Sequence, residues 1–582
     1  MVTDAYDFTD KLLNLITKEN KILEVSKELN NIKDNAEKIK FVEKLLLEKN
    51  LMPNSEENMR QNKSENLAKH YRDEGNKHYS KLEFFDALEC YNKSLCFCEN
   101  NSENLAIAYA NRSAVYCEMK LYSRALSNIE EALKHNYPQK SIDKLKKREE
   151  LCKNMLKERM QEPSNVPIGI DHLKLSHESN PKIPFIADCL KLKCDENYGR
   201  YVITELDLSA GEIVAIESPF SKIVLSGNKY RYCATCLSDN FFDLIPCDEC
   251  TSTMFCSEKC KEIGYKKFHR FECTIVDRLK EICTKILSIS SQTFFEALYI
   301  LNSDINQLMK ATEEAPNVTI FDFDMSNAND EKLKLNQYMA INSLVTNESQ
   351  RNAGDFFQRC GIVAILTHLF LNFTRLSDLL NTESAKDFYR KFIFKQTQIA
   401  ALNYHGIFDG VYKTKIISDS TQYGSGSYSF CSLINHSCAP NVVRVSYDCK
   451  NFVMVNRPIK AGEQLFDNYG YHHCLEDFHT RQKSLASQYM FHCSCEACKG
   501  NYPLFPNLKS VTNTFDDFIG DDVSKLMHLD LDTAEKRFKD YCNIIDKVDK
   551  FYPCREVSAL QECILQCFFV FKTTSFKLKL MK

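Results

Sequence analysis

The 582-residue chain lacks an excess of charge of either sign, with 75 Lys and Arg against 79 Asp and Glu. A protein held to nucleic acid by counterion release needs a basic surplus, so direct sequence-specific nucleic-acid binding is not expected. A signal peptide is also missing: MVTDAYDFTDKLLNLITKEN carries early acids and no apolar centre. VAILTHLFL is among the longest apolar runs and falls far short of a bilayer span, so no membrane partner is expected. These absences predict an intracellular protein, and cytoplasm and nucleus are the expected locations. What is present is ordinary for a soluble globular chain, 44% hydrophobic and 26% charged. Its length exceeds one core and predicts roughly three to five domains.

Cysteine is the exception, with 27 residues. In a reducing compartment that number does not predict a disulfide framework. Scattered cysteines read as small buried hydrophobes, and clustered ones as metal ligands.

The stretch from Met1 to Asn66 is charged and helical in pattern. RDEGNKHYSKLEFFDALECYNKSL then aligns with YANRSAVYCEMKLYSRALSNIEEAL, so that Gly75, Ala87 and Tyr91 recur at one constant spacing as Ser113, Ala125 and Ile129. Small residues where paired helices touch, with aromatics beside them, fit tetratricopeptide repeats; a generic helical hairpin is the alternative. SIDKLKKREELCKNMLKERM would continue or cap the array, and EPSNVPIG reads as a linker. From about residue 183 the pattern turns to β: GRYVITELDLSAGEIVAIESPFSKIVL, whose turn phrase returns in NFVMVNRPIKAGEQLFDNYG. Between them lie a cysteine-rich island and a long helical stretch, so the sheet domain is split by insertions. After residue 500 the pattern is helical again.

The island reads CATC, CDEC, CSEKC and HRFEC, four ligand pairs inside residues 233–273. Seven Cys and one His supply two tetrahedral zinc sites. Spacing alone leaves sequential and interleaved pairing equally open. FHCSCEACKG offers three further thiols, Cys493, Cys495 and Cys498, one short of a closed site. Cys438 can complete it, and Cys431, Cys449 and Cys474 are rivals on spacing.

Cys438 lies in LINHSCAPN, residues 433–441. Polar groups clustered at the end of an apolar strand need a partner. Asn435-His436-Ser437 is also a glycosylation sequon, a reading that falls with the intracellular expectation.

NHSCAPN, the AGEQLFDNYG segment and CSCEAC, in this order, resemble the SET and MYND domain-containing family of protein-lysine methyltransferases over about residues 183–500. The resemblance implies S-adenosyl-L-methionine as methyl donor, a protein lysine as acceptor and three zinc ions. It assigns Cys233, Cys236, Cys256 and Cys260 to one zinc, and Cys247, Cys250, His269 and Cys273 to the other. Tyr198, Gly199 and Arg200 match the family's first cofactor turn, with Tyr198 in place of a smaller residue. Asn435 and His436 match the motif that holds the cofactor where the chain threads a pseudoknot. Asn403 matches a further cofactor residue, or simply ends a helix. Tyr469 matches the active-site tyrosine, or is a core tyrosine. Tyr489 would close the lysine channel and Phe491 would cover the adenine.

The expected fold is multidomain α+β. It comprises a helical region (1–66), tetratricopeptide repeats (67–165) and a linker (166–182). The first SET part (183–232), a MYND finger (233–273) and a helical insertion (274–395) follow. The SET core (396–480), a post-SET zinc loop (481–500) and a C-terminal helical region (501–582), expected to be shorter than in the family, complete it. In the helix REVSALQECILQCFFVF, Val557, Leu560, Ile564 and Phe568 share a face that needs a partner. Arg72, Asn76, Tyr79 and Asn111, with Lys144 or Arg148, resemble a carboxylate clamp for a chaperone C-terminal tail, and the finger would take a proline-rich peptide. The alternative to an enzyme is a low-turnover SET scaffold that recruits partners through finger and repeats.

Overall fold

The structure is a computed structural model that describes residues 4–53, 59–159, 173–238, 240–314, 317–326, 328–409, 421–512 and 515–581. The linker expected at 162–169 lies outside the described residues.

Helices Ala5–Lys18, Ile22–Asn31 and Asn35–Glu48 are amphipathic and short. Asp4 and Asp34 cap the first and third through the exposed backbone N–H groups. Their apolar faces, Leu12 and Ile16, then Ile39, Val42 and Leu46, are buried in the core that also holds helices Ala353–Phe373 and Glu383–Asn403. Gly361 permits the close approach, since a Cβ there would collide with Thr9. The N-terminal helices are therefore the cover of the helical insertion. VAILTHLFL sits inside Ala353–Phe373, whose 21 residues are long and apolar enough for a bilayer by length and composition. That differs from the expectation drawn from the apolar run alone, because the helix interleaves small and polar residues with the run. Here 67% of its most apolar window is buried by protein.

Two helical hairpins follow, Glu65–Ser80 with Phe84–Phe97 and Glu103–Glu118 with Tyr122–Lys134, then Ile142–Arg159. Glu65 is as far before Glu103 as Phe84 is before Tyr122, so both helices of the hairpin recur at the spacing seen in the sequence. Gly75 lies against the Tyr91 ring where a Cβ would not fit. The hairpins dock on the cysteine-rich finger through Arg112, which is 1% exposed. Its guanidinium donates to Asn92 and Asn128 (both 2.6 Å), to the Leu244 carbonyl (2.6 Å) and to Asp243 (3.1 Å). Such a buried cation is tolerated because each of its three nitrogens finds an acceptor and Asp243 pairs its charge. The clamp residues are largely committed within the hairpins. Asn76 Oδ1 accepts from the Tyr91 hydroxyl and from Asn111 (both 2.9 Å). Arg72 bonds Asn104, and Arg148 bonds the Ala110 carbonyl and Ser113.

The central β structure is a set of small sheets. Ile213–Glu217 pairs with Lys450–Val455, which pairs with Val442–Tyr447; Leu190–Asp195 pairs with Gly199–Thr204. Lys222–Val224, Thr421–Gly426 and His405–Asp409 form a third sheet. A parallel pair joins Asn435–His436 to Phe466–Asp467. The expected boundary between insertion and SET core at 395/396 falls inside helix Glu383–Asn403. Ile399 and Ala400 continue its buried face, so the strand begins only at His405.

Helices Phe515–Met527, Leu531–Val548 and Arg555–Met581 cover the outer face of the first sheet. The face of Leu560, Ile564 and Phe568 finds its partner there, in Ile213, Phe452 and Met454, with the Phe452 and Phe568 rings 5.6 Å apart.

Candidate active site and metal centres

The site begins at a tight turn. Asp195 accepts from the backbone N–H groups of Asn197 (2.8 Å) and Tyr198 (2.7 Å), and Gly199 then reverses the chain at φ +64°. Only glycine takes that conformation cheaply. A Cβ on Gly199 would meet nothing within 4 Å. The glycine is required by the turn, and the space beside it is open.

Asn435 reaches this turn, donating from Nδ2 to the Tyr198 and Arg200 carbonyls (both 3.3 Å). Its neighbour His436 is buried, and burial pushes the imidazole down to about 4. The ring is therefore neutral, and its Nδ1 accepts from the Tyr469 backbone N–H at 3.1 Å. Tyr469 Oη donates to the Ile434 carbonyl at 2.9 Å. Burial, with Asp467 next in effect, keeps the phenol protonated far above its usual range. The two threaded segments are thus tied to each other by side chain and backbone.

Around them the rings of His436 and Tyr469 lie 5.1 Å apart, Tyr469 and Tyr489 4.9 Å, and His436 and Phe491 6.1 Å. These side chains line one cavity of about 430 Å³ with Tyr198, Gly199, Arg200, Asn403 and Asn435. That volume falls in the range of small-molecule sites. Asn403 is the last residue of its helix and also lines the cavity, with Nδ2 committed to the Val345 and Ile399 carbonyls. All of the sequence-expected cofactor residues, and Tyr489, are therefore brought together. The sequon reading has no place here, since Ser437 is buried.

A second cavity of about 660 Å³ lies between the Val442–Tyr447 strand and the C-terminal helices. Asp467 and Asn468 line it, whereas Phe466 and Tyr469 line the first, so this segment is the wall between them. Around the second cavity, four buried amide atoms have no hydrogen-bond partner among the described residues: Asn451 Nδ2, Asn456 Oδ1, Gln561 Nε2 and Gln566 Oε1. Burying so many unpaired polar atoms is costly unless a ligand or water meets them.

Three clusters of zinc-site type complete the picture. The ligand atoms of Cys233, Cys236, Cys256 and Cys260 all lie within 4.8 Å of one another, as do those of Cys247, Cys250, His269 and Cys273, and of Cys438, Cys493, Cys495 and Cys498. The finger thus interleaves its pairs. Sulfurs at 3.5 Å (Cys236–Cys256), 3.9 Å (Cys247–Cys273) and 3.6 Å (Cys438–Cys498) suit tetrahedral Zn–S geometry, whose edge is about 3.8 Å. Donors also point at the sulfurs: Glu249 N at Cys247 (3.4 Å), Cys438 N at Cys495 (3.4 Å) and Gln482 Nε2 at Cys498 (3.3 Å). Such donors suit thiolates, the form that binds metal. The donor sets therefore fit zinc. The rivals for the third cluster lie elsewhere: Cys431 N bonds Glu217, Cys449 faces the Cys236 carbonyl, and Cys474 faces Ser558.

Sequence reasoning missed Glu217. This fully buried carboxylate accepts from Ser429 Oγ (2.7 Å) and from the backbone N–H groups of Phe430 and Cys431 (both 2.9 Å). It anchors the turn that leads into Asn435. The available signal was one acid at the end of the apolar run IVAIE. The Arg444–Asp467 pair, which backs the wall between the cavities, was missed for the same reason.

The SET domain, as a sequence family, matches residues 199–470, from the glycine of the first turn to the glycine after Tyr469. The chain carries a SET domain and is similar in sequence to vertebrate SMYD4 proteins. It is 21% identical over 473 residues to protein-lysine N-methyltransferase SMYD4 of Danio rerio, covering 70% of this chain and 62% of that one. With the Homo sapiens SMYD4 it shares 23% over 529 residues, covering 72% and 65%. A histone-lysine N-methyltransferase of Arabidopsis thaliana, ASHR1, is 26% identical over 315 residues, covering 54% and 56%. The chain spans about 62–65% of the length of the SMYD4 relatives it matches. The SET-domain match contains Gly199, Asn403, Asn435, His436 and Tyr469 of the first cavity, whereas Tyr198 precedes it and Tyr489 and Phe491 follow it.

Proposed function

We propose that the chain is a protein-lysine N-methyltransferase that uses S-adenosyl-L-methionine. One observation carries this reading: the turn at Gly199, Asn403, the Asn435-His436 pair, Tyr469 and Phe491 come from five separate segments and line a single cavity. The relatives' names point to the same chemistry. The cofactor would supply an electrophilic methyl group on a sulfonium. The open space beside Gly199 and the carbonyls near Asn435 would receive its polar end, with Phe491 against the adenine. The chain's own work is positional. The Tyr469 hydroxyl donates to Ile434, which leaves its oxygen lone pairs free to accept weak C–H contacts or orient an amine. Rings of Tyr469, Tyr489 and Phe491 make a low-dielectric approach in which a lysine amine loses its proton more easily.

The substrate would lie along the second cavity, its lysine directed through the wall at 466–469. The unpaired amides of Asn451, Asn456, Gln561 and Gln566 support an extended peptide there, since main-chain N–H and C=O groups would satisfy both the donors and the acceptors. The three clusters would hold three zinc ions.

Methyl transfer from labelled cofactor to cell protein tests the proposal. Tyr469→Phe should retain cofactor binding by calorimetry and slow transfer about 10–100-fold, about 1–3 kcal/mol of barrier. Absence of cofactor binding by the intact protein would remove the enzyme reading and favour the scaffold.

A further inference from the structure

A third cavity, of about 390 Å³, lies against the finger. Strand Lys222–Val224, the finger residues Ala234 and Met254, and helices Val276–Ile282 and Lys285–Ile300 enclose it. Its charge is one-sided. Lys222, Lys229, Lys280 and Lys285 line it, against a single lining carboxylate, Glu272. Among the described residues none of the four lysines is ion-paired. Lys229 donates to Ser252 Oγ at 2.9 Å, and Lys280 donates to the carbonyl of the same residue. Two ammonium groups are therefore drawn to one serine. Asp277, an acid whose charge reaches both Lys229 and Lys280, already accepts from Ser252 Oγ and from the Gln61 backbone N–H (2.7 Å). Glu272 accepts from Gln292 at 3.0 Å. Burial pushes Lys280 down to about 8, with the Lys229 charge adding to the effect, and also lowers Lys229. The floor is apolar: Met254, Phe268, Val276, Leu279 and Phe370.

Like charges gathered at a desolvated cavity are unfavourable alone and become favourable around an anion. Four ammonium donors against one carboxylate favour a dianion over a carboxylate, and lysine serves phosphate as a movable point charge. An apolar floor favours a ligand with a carbon body. We propose that this cavity binds a small organic phosphate monoester, its phosphate on Lys229 and Lys280 with Lys285 at the rim, and its apolar part against Phe268 and Leu279.

The competing role for these lysines is to balance the charge of the thiolates at Cys247, Cys250 and Cys273. The full-length, zinc-loaded protein separates the two when titrated calorimetrically with phenyl phosphate, inorganic phosphate and phenol at matched ionic strength. The proposal expects one phenyl phosphate per chain, bound at least several-fold more tightly than inorganic phosphate, and no binding of phenol. Lys229→Met with Lys280→Met should weaken phenyl phosphate at least tenfold, with zinc content and S-adenosylmethionine binding unchanged. Should that variant not fold, Lys285→Glu, at an exposed position, should still weaken it several-fold. Binding no tighter than that of inorganic phosphate, or unaffected by either variant, overturns the proposal. So does loss of zinc from the lysine variant with phenyl phosphate affinity retained. Binding of a phosphotyrosine peptide without phenyl phosphate would overturn it in favour of a protein partner.

Discussion

Glu217→Ala tests how the Asn435 segment is held in place. The carboxylate accepts three hydrogen bonds, two of them from the backbone N–H groups of Phe430 and Cys431. Removing it strands both N–H groups in a buried site, at about 1–3 kcal/mol each, while the Ser429 hydroxyl can turn elsewhere. The vacated volume adds about 1 kcal/mol, so the loss should be about 3–7 kcal/mol. Glu217→Gln keeps Oε1 with its two donors but sets an amide N–H against the Cys431 N–H, so it should lose only about 1–3 kcal/mol. Hydrogen exchange at the Phe430 and Cys431 amides reads this locally, without assuming one cooperative transition for several domains. Cofactor affinity should fall in the same order, because the turn leads directly into Asn435 and His436. Unchanged exchange at both amides in the Ala variant, or a Gln variant worse than Ala, would refute the reasoning.

Elemental analysis of the intact chain should give three zinc ions. Cys438→Ser should release one and weaken cofactor binding as well, because the adjacent His436 lines the cavity; two or fewer zinc ions in the unaltered protein would remove the third site. Lys334 donates to the Pro219 carbonyl at 3.1 Å, and burial pushes its ammonium down to about 8 from an ordinary 10.5. Between those values the unfolded chain binds more protons, so stability should rise with pH from about 8 to 10.5, and the full cost is present at pH 7. Lys334→Met should therefore stabilise the protein at pH 7 by about 1–3 kcal/mol and flatten that rise, as denaturation across the pH range would show.

Motifs with rigid spacing were legible from sequence. Three Cys–Cys pairs and a His–Cys pair, NHSCAPN and CSCEAC point to candidate ligands because a metal or a cofactor would accept few geometries. Interleaved pairing in the finger was not in the spacing, since Cys233 and Cys256 come together only when the hairpin Ile245–Pro246/Met254–Phe255 folds. The helical hairpins showed through Gly75 and Tyr91, whose contact fixes how closely two helices approach. Boundaries were less visible: helix Glu383–Asn403 runs past the expected edge because its buried face continues. Glu217 and Arg444 were hidden because a single charge in an apolar strand says nothing of its partner. For Glu217 the partners are backbone groups in a distant part of the chain.

The cover of helix Ala353–Phe373 by helices Ala5–Lys18 and Asn35–Glu48 bears on the order in which the chain is made. A nascent segment this apolar is a target for the membrane-insertion machinery and for aggregation. By the time Ala353 leaves the ribosome, those two helices have long been synthesised and wait without a partner of their own. Their apolar faces are already in the chain as partners for the segment most in need of them, so translation itself delivers the guard before the guarded. Deleting those helices should be felt first in how much soluble protein a cell accumulates.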